Sequence, residues 1–384
     1  MYVHNQTEVA MLLTMHLLSN GAKESNCVFS PLSIHILLSI LASGSKGSTL
    51  SQLLSFLKSD SPQSLASFAS QTEASVLADG SPSGGPKLSS ATRLWIQYLL
   101  SIKPSFGRVV EASYKAYSAS ADFINKPDEA RSEVNSWVMK ETNGLIKEIL
   151  PADSVDSSTR LILANALYFK GIWRSKFDAA ATKNGDFFLI DGSVIRVPFM
   201  ISSTKQYLSS HNGFKALRLP YDQRNDGRQF SMYVLLPDAK DGLPSFIQSL
   251  SKHFMLQNVA RRQVEVGDFR IPRFEITYGF EASEMLKKMG LTMPFSDEAD
   301  LSEMVDGRSL FVSKIFHKGF IEVNEEGTEA AAASGGIVNE RSALILKRMD
   351  FVANHPFLFF VREDNSGVIL FSGQVLHPSL SLSP

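Results

Sequence analysis

Residues 325–342 read Glu-Glu-Gly-Thr-Glu-Ala-Ala-Ala-Ala-Ser-Gly-Gly-Ile-Val-Asn-Glu-Arg-Ser, and no other stretch of the chain so plainly asks for a chemical explanation. Four consecutive alanines stand between acids and a Gly-Gly pair, and from Gly327 to Gly336 only Glu329 carries a large side chain. One reading is a short helix with acids at its N-terminus and a glycine stop. The other is a segment with so little bulk that it can enter a packed sheet without displacing core side chains. A polar stretch follows and ends in Arg341-Ser342. Ordinary catalytic signatures are missing: there is no GxSxG elbow, GxxxxGK[ST] loop, GxGxxG or HExxH. The eight histidines are scattered, and none has metal-ligand spacing to another. No metal or cofactor is therefore expected. Serine and aspartate are plentiful, so a hydrolase with a spatially assembled Ser/His/Asp triad stays open as an alternative, without a local motif in its favour.

The elements that must carry such a segment are legible in part. Ser30-Pro31 starts a helix, with Ser as N-cap and Pro at the first helical position, and Gly44 is its natural stop. Glu129 to Leu150 reads as a helix interrupted at Gly144. Leu161 to Phe169 is almost continuously apolar, as expected of a central strand covered on both faces. Phe230–Leu236, Phe269–Tyr278 and Val368–Val375 read as further strands, and Glu281–Met289 as a short amphipathic helix. Residues 59–90 are rich in Ser, Gly and Pro, and Gly80–Pro86 reads as an exposed loop. Strands and helices are interspersed without regular βαβ alternation, which points to a single α+β domain spanning 1–384.

Composition narrows the function further. In 384 residues, 38 Lys and Arg stand against 39 Asp and Glu, for a net charge of −1. Such a chain has no bulk electrostatic attraction for nucleic acid or an anionic membrane, and no stretch approaches the length needed to span a bilayer. The lone Cys27 lies in an apolar run and reads as a buried small hydrophobe. Val9 to Leu18 resembles a short signal core, but it carries His16 and is preceded by no Lys or Arg. The expectation is therefore a cytoplasmic or nuclear protein, with non-classical export to the apoplast as the other route. Asn5-Gln6-Thr7 is a glycosylation sequon that has meaning only in the secretory pathway.

Taken in order, the motifs resemble the serpin family, most closely the plant serpins, over nearly the whole chain. Phe29-Ser-Pro-Leu-Ser-Ile34 is similar to the family's early helix motif. Asn165-Ala-Leu-Tyr-Phe-Lys-Gly171, followed by Trp173 and Phe177, is similar to its central-sheet motif. Phe269-Arg-Ile-Pro-Arg-Phe274, Phe295–Ser302, His317-Lys318, Asn354–Phe359 and Gly367–Val375 follow at matching distances. Glu322–Ser334 resembles the family's reactive-loop hinge. Leu219-Pro-Tyr221 near Gly213-Phe214, the four-alanine hinge and Asp350–Pro356 carry the plant character.

The resemblance implies three β-sheets, eight or nine helices and an exposed reactive-centre loop at about 325–349. It implies a non-enzymatic suicide substrate, whose cleaved loop inserts into the main sheet as a new strand and carries the acylated protease with it. It places the hinge at Glu325, Glu326, Gly327, Thr328, Glu329, Ala330, Ala331, Ala332, Ala333 and Ser334. It places Ser30, Ser33, Asn165, Trp173 and His317 where the sheet opens. The family's scissile bond follows the seventeenth residue counted from the first hinge Glu, which makes it Arg341-Ser342, flanked by Asn339 and Glu340. Gly327 is expected to act as a pivot. Thr328, Ala330 and Ala332 are expected to face inward, and Glu329, Ala331 and Ala333 outward. Arg341 suits trypsin-like proteases, and the plant family adds papain-like proteases and metacaspases as further targets. Glu340 counts against papain-like enzymes, whose neighbouring pocket is apolar. Between residues 59 and 91 the only basic residue is Lys87, so heparin-type activation is not expected. A monomer is expected, and the alternative role is a non-inhibitory storage or binding protein.

Overall fold

The computed structural model describes residues 2–251, 254, 256–306, 310–328 and 348–379. Two runs of the chain build the main sheet. One is β2 (Lys87–Gln97), β3 (Tyr117–Ala121) and β4 (Leu161–Ile172); the other is β12 (Phe274–Glu281), β13 (Lys314–Val323) and the two-residue β14 (Gly327–Thr328). The order across this sheet is β12-β13-β14-β4-β2-β3. A seven-stranded sheet orders β1 (Cys27–Phe29), β17 (Ile369–Val375), β16 (Phe357–Glu363), β9 (Phe230–Pro237), β8 (Phe214–Pro220), β7 (Gln206–His211) and β10 (Gln263–Val264). A four-stranded sheet orders β15 (Met349–Val352), β11 (Val266–Pro272), β6 (Val194–Ile201) and β5 (Lys183–Phe188). Eight α-helices occur among the described residues.

The continuous apolar character of β4 has a period-two origin. Leu161, Leu163, Leu167 and Phe169 join the large core shared with α2 (Pro31–Ser43) and the seven-stranded sheet. Ile162, Ala164 and Ala166 face a second, smaller core under α6 (Pro127–Glu141), formed with Trp95, Val134 and Val138. Ser30 caps α2 by accepting from the Ser33 amide (3.0 Å), with Pro31 at the first position. Helix α2 ends at Gly44 as expected, though with an ordinary φ of −101°.

Four expectations change. The helix expected over 129–150 stops at Glu141: Thr142 caps it, Gly144 turns at φ +83°, and Leu145 to Leu150 are not helical. The strand expected over 269–278 is two strands in different sheets, β11 ending at Pro272 and β12 starting at Phe274, because Pro272 has no amide to continue a ladder. Within 59–90 lies a helix, α4 (Pro62–Ser75), capped by Ser61, which accepts from Ser64 N (3.2 Å). The Gly80–Pro86 loop is exposed only at its tip; Gly80 and Pro86 are buried. Val9–Leu18 is core: Val9, Ala10, Met11 and Leu13 of α1 (Tyr2–His16) are buried, as are Leu17 and Leu18 beyond it. Asn5, the sequon residue, lies in that helix and donates to the Lys58 carbonyl (2.5 Å). No helix among the described residues is long and apolar enough to cross a membrane. Cys27 is buried in β1, and desolvation pushes its thiol well above the ordinary value.

Candidate functional site: the mouth and the floor of a half-filled sheet

Strand β14 enters the main sheet at one end. Thr328 pairs with Val323 of β13 on one side and with Gly171 of β4 on the other, and Gly327 pairs with Ile172. At the opposite end no strand separates the two neighbours: Lys314–His317 of β13 pair directly, in parallel, with Ile162–Asn165 of β4. The sheet is thus open at the mouth and closed at the floor.

The mouth is built around the turn at Asn324–Gly327. Asn324 Oδ1 accepts from the amides of Glu326 (3.0 Å) and Gly327 (3.3 Å), an Asx turn that reverses the chain out of β13. Trp173 holds this turn twice, donating Nε1 to Asn324 O (2.9 Å) and its amide to Glu326 O (2.9 Å). Trp173 stacks on Tyr221 (centroids 4.5 Å, 18° between planes), and Tyr221 meets Phe169 edge-on (4.9 Å). The buried Tyr221 hydroxyl lies 2.6 Å from Thr328 Oγ1, and burial raises the phenol's pKa, so the pair is a neutral hydrogen bond. Glu325 is held by Thr182 Oγ1 (2.6 Å) and Arg273 Nε (3.5 Å), and Glu326 by Lys176 Nζ (2.5 Å). Thr328 therefore faces inward, as expected. Gly327 has a reason to be glycine other than a pivot: a Cβ there would collide with the carbonyl oxygen of Gly171. Tyr221→Phe is expected to leave Thr328 Oγ1 short of a partner and to lower unfolding stability by about 1 kcal/mol. Denaturant titration checks this; an unchanged midpoint contradicts the bond.

At the floor, Ser30, Ser33, Asn165 and His317 come together. The Ser30 amide donates to His317 Nε2 (2.9 Å), which fixes the ring proton on Nδ1. Asn165, opposite His317 in the ladder, donates Nδ2 to Thr92 Oγ1 (2.7 Å). Asn165 Oδ1 and His317 Nδ1 are buried and have no hydrogen-bond partner among the described residues, one an acceptor and the other a donor. Burial lowers the His317 pKa to about 4, and that of His35 in α2 likewise to about 4. Both folded values lie below the ordinary 6.5, so the unfolded chain binds more protons in acid. Stability is fully present above about pH 6.5 and falls as pH drops toward 4. Denaturant midpoints measured from pH 7 to 4.5 should fall steadily; a flat profile would contradict neutral burial of both rings.

Of the residues singled out in the sequence, Trp173 sits at the mouth with Glu325 to Thr328, and Ser30, Ser33, Asn165 and His317 at the floor. Glu329, Ala330, Ala331, Ala332, Ala333, Ser334, Asn339, Glu340, Arg341 and Ser342 lie outside the described residues. Tyr221, Thr92, Gly171, Thr182, Lys176 and Arg273 were not foreseen. Tyr221, Gly171 and Arg273 carried a signal only as members of Leu219-Pro-Tyr221, Asn165–Gly171 and Phe269–Phe274; Thr92, Thr182 and Lys176 carried none.

The main sheet thus has a strand begun at one end and is closed at the other, above a buried Ser-Asn-His cluster. The family described as Serpin (serine protease inhibitor) matches residues 4–378, and the chain belongs to it. Among its relatives, Serpin-ZX of Arabidopsis thaliana is 53% identical over 380 residues, covering 97% of each chain. Serpin-ZXA of Oryza sativa subsp. japonica is 51% identical, covering 99% of this chain and 98% of the relative. A solved structure of Arabidopsis AtSerpin1 in a native stressed conformation superposes with a TM-score of 0.89 at 51% identity, covering 98% of each chain. The fold is thus the serpin fold, and target proteases are its partners as a family property.

Proposed function

We propose that this chain, acting as one domain over 1–384, is a suicide-substrate inhibitor of Arg-specific serine proteases. In this reading the protease attacks the carbonyl carbon of Arg341, the bond to the Ser342 nitrogen breaks, and the new amine leaves on Ser342. An ester then links Arg341 to the protease serine. Papain-like proteases and metacaspases are further targets, through the same carbonyl and a thioester.

The observation that carries this reading is β14, two residues already seated between β13 and β4, with rungs ahead of them that no described residue occupies. Continued in the same register, the strand meets Lys170, Phe169 and Tyr168 of β4 in turn. Six residues past Thr328 it reaches the rung shared by Asn165 and His317. The residue there is Ser334, whose hydroxyl would face inward with the two orphaned polar atoms. The small side chains of 330–333 suit the rungs between. Thirteen residue steps separate Thr328 from Arg341, roughly 43 Å of extended chain, enough to move an attached protease across a domain. Insertion thereby competes with hydrolysis of the ester, and the protease is trapped when insertion wins.

The test is to mix the purified chain with bovine trypsin, quench, and analyse by denaturing gel and mass spectrometry. The expected result is a complex that survives denaturation, together with a fragment beginning at Ser342. Cleavage after Arg341 without complex would point to a non-inhibitory serpin. Cleavage elsewhere would overturn the assignment of the bond.

A further inference from the structure

One row of the main sheet, immediately past Thr328, holds an unusual set of charges. Glu275 of β12 stands directly opposite Glu322 of β13. Lys170 of β4 stands directly opposite Lys87 of β2. Because Thr328 pairs with Val323 and Gly171, the next rung inward lies between Glu322 and Lys170. All four side chains are on the outward face: Glu275 and Lys87 are exposed, Glu322 and Lys170 half-buried. The row thus presents two carboxylates on one side of the insertion path and two ammonium groups on the other. Like charges directly opposite one another in a sheet are destabilising; Arg273, which lines a cleft with Glu275 and Glu322, is itself engaged by Glu325 (3.5 Å). Lys170 forms no ion pair with any described residue, and Lys87 Nζ lies only over the Tyr168 ring (5.9 Å). Both lysines line an open cleft of about 330 Å³, where Asp222 is engaged by Arg224 (3.5 Å). Across the path, Glu322 accepts from Asn324 Nδ2 (2.9 Å).

We infer that Lys170, backed by Lys87, is a positioning residue for loop insertion: it receives the first outward side chain of the entering strand. The inference rests on the insertion reading above. Thr328 faces inward, so the residue after it in the sequence, Glu329, would take the outward place in this rung. Its carboxylate then has Lys170 on one side and Glu322 on the other, with Cβ separations of about 5 Å in such pairs. Lys170 offsets what is otherwise a run of three acids (Glu275, Glu322 and Glu329) and in turn loses its own repulsion with Lys87. Insertion begins at this rung, so its charge balance enters the race against ester hydrolysis.

Lys170→Glu places four carboxylates in succession and is expected to raise the moles of inhibitor consumed per mole of trypsin about two- to fivefold at low salt. The increase should shrink near 1 M salt, where the screening length is about 3 Å. Adding Glu329→Lys to Lys170→Glu should restore the wild-type ratio, and Lys170→Gln should give a smaller increase than Lys170→Glu. Uncleaved Lys170→Glu should melt no lower than wild type, since it replaces the Lys170–Lys87 repulsion with an opposite-charge pair, which separates positioning from damage to the fold. An unchanged ratio in Lys170→Glu, or failure of Glu329→Lys to rescue it, overturns the inference. If wild type is cleaved without trapping trypsin, the trap has failed but the row can still be read. Cleaved Lys170→Glu should then melt several degrees below cleaved wild type while the uncleaved variant melts no lower than uncleaved wild type. Equal melting of the cleaved forms overturns the inference, and a cleaved wild type no more stable than the intact chain overturns insertion itself.

Discussion

Thr328→Arg turns the inhibitor into a substrate: trypsin should cut after Arg341, leave, and form no complex that survives denaturation. Thr328 is buried, fits between Val323 and Gly171, and shares its hydroxyl with Tyr221. An arginine in that rung would bring a cation into the buried Trp173–Tyr221–Phe169 stack. Leaving a charge buried and uncompensated costs about 3–5 kcal/mol. At about 1.4 kcal/mol per tenfold in rate, the partition moves toward hydrolysis by roughly two to three powers of ten. The native chain escapes most of this cost by keeping two residues out of the sheet, so its melting temperature should change little. Thr328→Val separates charge from hydroxyl. It leaves only the Tyr221 hydroxyl unpaired and should raise the inhibitor-to-protease ratio far less. A wild-type yield of complex from Thr328→Arg would exclude insertion through this mouth.

Arg341→Leu removes the second large contribution. A primary pocket built around a buried acid rejects a side chain that cannot answer it, and such discrimination reaches roughly 10⁴–10⁵. The association rate with trypsin should therefore fall by about that factor, while the hinge, mouth and floor stay as they are. A chymotrypsin-like enzyme, whose pocket is apolar, should gain what trypsin loses. Progress curves with both enzymes check this; loss of inhibition toward both would place the bait bond elsewhere. Glu340 gives the same logic a second handle. A papain-like pocket that selects the preceding residue is apolar, and burying a carboxylate there is costly. Glu340→Val should accordingly speed inhibition of papain-like proteases and leave trypsin nearly unaffected.

Much of this molecule was legible where local rules and tertiary demands agree. Ser30-Pro31 caps α2 as written, and β4 is buried on both faces as its composition requires. The same Ser-Pro signal at Ser61-Pro62 announces α4, but the Ser-rich, weakly apolar sequence after it hid the helix, whose buried stripe is only Leu65, Phe68, Ala69 and Thr72. The break at Arg273 shows only as a one-residue slip of the apolar alternation, from Phe269 and Ile271 to Phe274 and Ile276; which sheet receives each half is a long-range decision. The site divides likewise. The small-residue segment stood out by composition, whereas the mouth around Thr328 is assembled from Trp173, Tyr221, Thr182 and Arg273. These lie on separate strands and connections, and no spacing in the sequence relates them. Gly171 illustrates the limit. It reads as one glycine in a motif, yet its carbonyl is what leaves Gly327 no room for a side chain.

The burial of Cys27 has a practical consequence. It is the single thiol in the chain, it lies in β1 against Gln374 of β17, and desolvation keeps it protonated. A thiol reagent therefore has one place to react and cannot reach it while that sheet edge is intact. The rate of labelling then counts openings of β1 from β17 and from the main-sheet strands β12 and β13 that pack on it. Because Phe29 of β1 packs edge-on against His317 and the Ser30 amide bonds the same ring, expansion of the main sheet at its floor should register at this thiol as well.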